Sequence, residues 1–376
     1  MESADPERAR ADDRRRGPHA AVGAAGRVRR RRREIPRVTI TVFGAGAIGG
    51  ITGAALAKAG HDVLLVDRAA DHVAAINAGG LTVERRQGAE TVAVRAITSD
   101  ALEAGLDLVL LAVKSQDTPT ALGVLAPRLA REGAIVSMQN GLNEELIASA
   151  VGEHRTVGCL VNWAADWVAP GRILHGGEGA LVLGELDGRP SPRVQALAKL
   201  LDVVAPTRVS DNILGYTWAK HVYGALLVAT AVVDGHVYEV VERSPDVQRM
   251  LIALVMESMR VADAARIRLE AFDEYDPATY RAAAGGDHAA RERAMSIVAA
   301  HYRAHTKTKT GIWRDLAVRR RPTEVGALLG ATVAKARKLG VATPLTERLI
   351  TLIADLEAGR RVMAWDNLEE LVRLSG

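Results

Sequence analysis

Read for the alternation of apolar and polar positions, the chain changes character at about residue 208. Before that point short apolar runs alternate with amphipathic stretches, and after it the spacing is helical almost throughout. Val38-Thr-Ile-Thr-Val-Phe43 reads as a buried strand, the glycines that follow as a turn, and Ile48, Ala54, Ala55, Leu56 and Ala57 as a helix stopping at Gly60. A second buried strand is expected over His61–Arg68, then a helix from Ala70 to Ala78 ending at Gly79-Gly80. Short β-like pieces follow at Leu81–Glu84 and Thr91–Ala96, and another buried parallel strand at Leu106–Val113. Pro119 opens a helix as its first residue, and Ala134–Met138 is a further strand. Residues 155–184 read as short strands that complete the sheet, Gly184–Pro192 as a surface turn, and Val194–Val204 as a helix.

From Asn212 onward long helices are expected at 216–233, 245–268, 288–304 and 322–339, with a last pair after Pro344. Repeated β–α alternation with right-handed crossovers gives a doubly wound sheet. The expected fold class is therefore α/β: an N-terminal Rossmann-type doubly wound sheet over residues 38–208, joined to a C-terminal all-helical domain over 209–376.

The glycine turn carries the first chemistry. Gly44, Gly46 and Gly49 stand in the G-x-G-x-x-G arrangement between a strand and a helix. There the first glycine makes the tight turn, the second lets the backbone approach a pyrophosphate, and the third lets helix pack on strand. Gly44, Ala45, Gly46, Ala47, Ile48 and Gly49 are accordingly expected to cradle a dinucleotide at the helix N-terminus. Asp67 and Arg68 end the second strand, where an acid suits the ribose hydroxyls of NAD and an arginine the 2′-phosphate of NADP. The residues alone leave both open. Lys114 and Asn140 each follow a strand's carboxyl end, where ligands collect in open α/β sheets; Asn140 can hold a nicotinamide or substrate, or serve as a turn residue before Gly141.

Composition narrows the classes. Hydrophobic content of 48% with 25% charged residues is that of a soluble globular protein. A net charge of +4 suggests nucleic acid only until its placement is read: residues 1–37 hold 12 arginines against 6 acids, and the remainder is net −2. Residues 1–37 are expected to be a disordered arginine-rich extension, and no nucleic-acid partner is expected. One cysteine, Cys159, excludes an intrachain disulfide framework and reads as a small buried hydrophobe in a reducing, cytoplasmic setting. The longest apolar run, Ala225–Val233, is too short to cross a bilayer. His301 and His305 have a metal-compatible spacing but no third ligand in the pattern, so no metal is expected.

In the helical half Lys220 stands in Trp218-Ala-Lys220, and Glu324 opens a helix after Arg319-Arg-Arg-Pro-Thr323. By position alone a lysine there is a snorkelling surface residue or a general acid, and Glu324 a helix-dipole acid or a substrate ligand. The arginines are a solvated cluster or a site for an anionic substrate.

The ordered set Gly44-Ala-Gly-Ala-Ile-Gly-Gly50, Val113-Lys-Ser115, Gln139-Asn-Gly-Leu142, Trp218-Ala-Lys220 and Trp313-Arg-Asp-Leu316 leading to Arg321-Pro-Thr-Glu324 resembles ketopantoate reductases, also called 2-dehydropantoate 2-reductases, over residues 38–360. The resemblance implies a helical domain of the 6-phosphogluconate dehydrogenase C-terminal type and NADPH as hydride source, with NADH open because Asp67 is atypical. It implies a small-molecule 2-oxo acid as substrate, reduced from ketopantoate to pantoate. Lys220 then matches the family's proton donor, Glu324 the acid that orients the substrate, Lys114 and Asn140 the cofactor and nicotinamide contacts, and Arg68 the 2′-phosphate ligand. Pairing into a homodimer is an expectation for helical domains of this kind.

The chain departs from the pattern at substrate-facing positions. Gly224 and Val228 stand where the family has asparagines, and Gly311, next to Thr310, where it has a serine. Two alternatives follow: a reductase of a less polar oxo acid, ketone or imine, and a non-catalytic NADP-binding regulatory protein.

Overall fold

A computed structural model describes residues 38–376 apart from Glu274, His305 and Thr306. The extension over residues 1–37 and the second histidine of the His301/His305 pair lie outside the described residues.

The sheet half runs β1 (Ile40–Phe43), α1 (Ala47–Lys58), β2 (Val63–Asp67), α2 (Ala70–Gly79), β3 (Leu81–Arg85), β4 (Gly88–Val92), β5 (Arg95–Thr98), β6 (Leu106–Leu111), α3 (Thr118–Leu125), β7 (Leu129–Ser137), α4 (Glu144–Val151), β8 (Thr156–Asn162), β9 (Ala165–Ala169), β10 (Arg172–His175), β11 (Ala180–Glu185), α5 (Pro192–Leu201) and β12 (Thr207–Val209). Eight strands form one sheet in the order β12-β11-β8-β7-β6-β1-β2-β5. Its pairs are parallel except β8 with β11. In register, Val42 faces Leu65 on one side and Leu110 on the other. Alternate residues feed two cores: Val42, Leu65, Leu110 and Val136 join one with α1, α2 and α5, whereas Phe43, Val66, Leu111 and Ile135 join the other with α3 and α4. Burial on both faces is why these strands read as unbroken apolar runs.

Two expectations about the strands need correction. Thr91–Ala96 is not one piece: β4 ends at Val92, and β5 pairs with β2 at the edge of the main sheet. Residues 155–184 do not all complete that sheet either, because β9 and β10 join β3 and β4 in a separate four-stranded sheet, ordered β4-β3-β10-β9. Leu81, Val83 and Ile173 of this small sheet are buried in the core that also holds α1. Helix α1 can lie against both sheets because its glycines carry no side chain. A Cβ on Gly49 would stand 2.0 Å from the Gly44 carbonyl oxygen, and one on Gly50 2.7 Å from Ile173 Cδ1.

The helical half begins with α6 (Ile213–Ala229) and continues through α7 (Val237–Val241), α8 (Pro245–Ala264), α9 (Pro277–Ala284), α10 (His288–Ala304), α11 (Gly311–Arg314), α12 (Val325–Leu339), α13 (Pro344–Glu357) and α14 (Trp365–Ser375). Its core takes Trp218, Val222 and Leu226 from α6, Leu251, Leu254 and Val255 from α8, Leu329 from α12, Leu349 and Leu352 from α13, and Leu368 and Leu371 from α14. Buried Glu257 of α8 accepts from the backbone N–H groups of Leu345 and Thr346 at 2.9 and 2.8 Å, satisfying orphan donors at the start of α13. Between α11 and α12, residues Asp315–Arg319 form a single π-helical turn, and Arg320 follows in the left-handed region at φ 48°. Among the described residues no helix is long and apolar enough to cross a membrane.

Candidate active site

A cleft of about 1010 Å³ is lined from both halves of the chain. From the sheet half come Gly44, Gly46, Ala47, Ile48, Asp67, Arg68, Lys114 and Asn140; from the helical half come Lys220, Gly224, Val228, Thr310, Gly311 and Glu324. Residues as far apart in sequence as Gly44 and Glu324 thus line one cleft.

Ala45 and Gly49, both expected to contact the dinucleotide, do not line it. Ala45 is fully buried, and its carbonyl oxygen lies 2.9 Å from His72 Nε2. The same ring accepts from the Gly171 N–H at Nδ1, 2.9 Å away, so His72 donates at Nε2 and ties the glycine loop to the small sheet. Gly49 is turned inward against Gly44, its role being close packing. The rest of the loop suits an anion. Gly44 has φ +101°, a Cβ on Gly46 would meet nothing within 4 Å, and α1 starts without a side-chain cap, leaving N–H groups of its first turn for a ligand.

Arg68 is largely exposed and pairs with Asp117 at 2.9 Å, while Asp67 accepts from the Ala69 N–H at 3.0 Å. Asn140 is fixed through its backbone: its carbonyl accepts from Ser115 Oγ and, at 2.8 Å, from Asn143 Nδ2. Its side-chain amide has no hydrogen-bond partner among the described residues and is exposed on the cleft wall.

Helix α6 supplies Lys220, half-buried, whose ammonium donates to the Val161 carbonyl oxygen on β8. The adjacent His221 is buried, bonds Thr332 Oγ1 of α12 at 2.5 Å, and has its pKa lowered by burial to about 4, so its ring is neutral at pH 7. Gly224 and Val228 follow Lys220 on this helix, and a Cβ on Gly224 would meet nothing within 4 Å. Thr310 caps α11 through the Trp313 N–H at 3.2 Å, and Gly311 is exposed, with open space at its Cβ position. Glu324 is the N-cap residue of α12 but makes no capping bond; its Oε1 lies 3.9 Å from Lys114 Nζ.

Sequence reasoning missed the carboxylates that organise this wall. Asp315, 1% exposed, accepts from Lys114 Nζ at 3.0 Å, Arg319 Nη1 at 3.0 Å and Arg321 Nε at 2.9 Å. Burial works against its ionisation, yet Lys114, Arg319 and Arg321 hold its carboxyl below the usual carboxylate range. The π turn brings Arg319 to it, and the left-handed Arg320 turns the chain so that Arg321 reaches the same oxygen. Asp166 on β9 accepts from Arg319 Nη2 and, at 2.5 Å, from Arg314 Nη1. The arginine cluster at 319–321 is thus not simply solvated: Arg319 and Arg321 line the cleft, and only Arg320 faces solvent without a carboxylate among the described residues. Asp315 stood in the Trp313–Leu316 motif and was findable; nothing in the strand sequence marks Asp166.

Two family models match this chain. Ketopantoate reductase PanE/ApbA covers residues 40–188, and ketopantoate reductase PanE/ApbA C terminal covers residues 212–357. A 2-dehydropantoate 2-reductase of Pyrococcus abyssi is 32% identical over 229 residues, 59% of this chain and 73% of its own length. One of Streptococcus pyogenes is 27% identical over 324 residues, 85% of this chain and 98% of its own length. Among solved structures, a PanE/ApbA family ketopantoate reductase from Ralstonia eutropha superposes with a TM-score of 0.71 at 28% identity, covering 86% of this chain and 99% of that one. D-mandelate dehydrogenase, solved with NADH and anilino(oxo)acetate, shares the fold with a TM-score of 0.71 at 22% identity, covering 85% and 99%. With both halves matched in order and the cleft between them built from both, the chain belongs to the ketopantoate reductase PanE/ApbA family.

Proposed function

We propose that this protein is an NADPH-dependent reductase of a 2-oxo acid, converting ketopantoate to pantoate. The observation that carries the reading is the shared cleft, in which an uncapped glycine loop and Lys220 with Glu324 line one cavity. The loop fits a dinucleotide: Gly46 and the first turn of α1 present backbone N–H groups to a diphosphate, Gly44 makes the turn with its own N–H bonded to the Val66 carbonyl at 2.8 Å, and Arg68 offers a 2′-phosphate a guanidinium. Reduced nicotinamide held at this loop would supply the hydride that the carbonyl carbon takes up. Lys220 gives its proton to the carbonyl oxygen as the alkoxide develops, a step worth about 10²–10⁴ in rate for a placed general acid. Glu324 accepts a hydrogen bond from the substrate and orients it, and the Asn140 amide holds the carboxamide or substrate beside the reacting carbon. NADPH oxidation with ketopantoate, followed by absorbance beside NADH, is expected to favour NADPH and to fall about 10²–10⁴-fold in Lys220→Ala with NADPH binding retained. Tight NADPH binding without oxidation by any oxo acid would remove the reading.

A second reading keeps the chemistry and changes the substrate to a less polar 2-oxo acid, ketone or imine. It is favoured by Gly224, Val228 and Gly311, which line the cleft without a polar side-chain atom. A higher kcat/KM for 2-oxoisovalerate than for ketopantoate in the same assay selects it.

A further inference from the structure

Five cations and three carboxylates meet on one wall of the cleft. Lys114, Lys307, Arg314, Arg319 and Arg321 cluster with Asp166, Asp315 and Glu324, a local excess of two positive charges within a lining that is balanced as a whole. Asp315 and Glu324 account for Lys114 and Arg321. The excess collects around Asp166, which sits at 15% side-chain exposure between Arg314 and Arg319.

The carboxylate of Asp166 is already well occupied, with three donors on its two oxygens. Oδ1 accepts from Arg319 and from the Trp167 N–H at 3.0 Å, and Oδ2 accepts from Arg314 at 2.5 Å. The cations around it are not. Arg314 has one of its five donors bonded, Nη1, and the ammonium of Lys307 has no hydrogen-bond partner among the described residues. Lys307 is also half-buried: desolvation foremost depresses its pKa, Arg314 and Arg319 add to the depression, and Asp166 opposes it. Cations held close together and partly desolvated repel one another, and that repulsion is relieved by an anion entering from the cleft. A planar carboxylate fits, because an arginine fork recognises it through two parallel hydrogen bonds.

We propose that Lys307, Arg314 and Arg319, arranged around Asp166, form the subsite for the carboxylate of the substrate. Arg314 and Lys307 make the direct contacts, and Asp166 holds the two guanidiniums in place. The subsite lies on the wall where Gly311 contributes no hydroxyl, so the charge that selects acids over neutral ketones comes from the small sheet and the π turn instead. This assignment rests on the 2-oxo acid reading and names the residues that enforce it.

The test uses the full chain loaded with NADPH and oxamate, an unreduced isostere of a 2-oxo acid. In Arg314→Gln and in Lys307→Gln, the Kd for oxamate by calorimetry is expected to rise about 10- to 100-fold, as is the KM for 2-oxo acids. NADPH affinity and the thermal midpoint serve as controls for folding and are expected to hold in both variants. Activity on the neutral ethyl ester of the same oxo acid is expected to be low in wild type and unchanged in the variants, and Arg314→Lys is expected to recover part of the oxamate affinity. Equal losses on acid and ester, or unchanged oxamate binding in both variants, overturns the subsite. If wild type reduces no oxo acid while oxamate binding still depends on Arg314 and Lys307, the catalytic reading falls and the subsite stands. If oxo acids are reduced and both variants bind oxamate normally, the subsite alone falls.

Discussion

Gly224 lies one helical turn beyond Lys220, and it is the cleft position where a polar side chain can be added at least cost. Nothing stands within 4 Å of its Cβ position, and glycine inside a helix is among the least favourable residues. Gly224→Asn is therefore expected to fold with unchanged or slightly raised stability. It is also expected to raise kcat/KM for hydroxyl-bearing ketopantoate relative to 2-oxoisovalerate by about tenfold, the worth of one hydrogen bond made by a placed group. A ratio that stays constant between wild type and variant in the NADPH assay refutes a substrate contact at this position. Val228 is a poorer site, since it is 4% exposed within the helical core and an amide there displaces packed apolar atoms. The residues legible in the sequence were those whose local pattern carries a meaning. Gly44 and Gly46 were readable because strand and helix flank them, and Lys220 and Glu324 because they fall in ordered motifs. Asp166 was not, because one acid in a short strand has the pattern of a solvent-facing residue; its meaning comes only from Arg314 and Arg319, nearly 150 residues away.

At the scale of elements, α4 contains a cost that its amphipathic pattern conceals. Glu144 opens this helix, where an acid ordinarily favours the dipole, but here the side chain is only 3% exposed and burial pushes its pKa up to about 7. The raised value fixes the sign of its effect on stability. The folded protein holds this proton more tightly than the unfolded chain, so the contribution is most favourable below pH 4.5 and falls as pH rises towards 7. The span amounts to about 3 kcal/mol, and Glu144→Gln is expected to flatten that part of the stability profile and raise the urea midpoint at pH 8. Parallel profiles for wild type and variant between pH 5 and 8 count against it. Periodicity was a good guide to α4 and to the other long helices because each presents an apolar face for several turns. It misled at Thr91–Ala96, where two short strands of different sheets follow one another without a turn glycine. It was silent on the π turn at Asp315–Arg319, since five residues are too few to set a period.

At the scale of the whole molecule, the two halves were each legible, but the way they close on one cleft was not, because that depends on ion pairs spanning some 200 residues. Asp315 is the centre of that closure: it belongs to the helical half, binds Lys114 from the end of β6, and shares Arg319 with Asp166 of the small sheet. Its carboxylate is held below the usual range, so this contribution to stability is present above the normal carboxylate pKa and is lost as pH falls through the folded value. Asp315→Asn leaves Lys114, Arg319 and Arg321 without their shared charge, and removing one partner of a buried ion pair costs about 3–5 kcal/mol. The variant is expected to unfold at lower urea and, because the proposed roles put Lys114 on the cofactor side and Arg319 in the anion subsite, to weaken NADPH and oxamate together. Gly224→Asn, by contrast, is expected to alter substrate preference alone. Urea unfolding with parallel NADPH and oxamate titrations separates the two cases. If Asp315→Asn loses affinity for only one ligand at an unchanged urea midpoint, Asp315 acts locally and the halves are held by their apolar contacts.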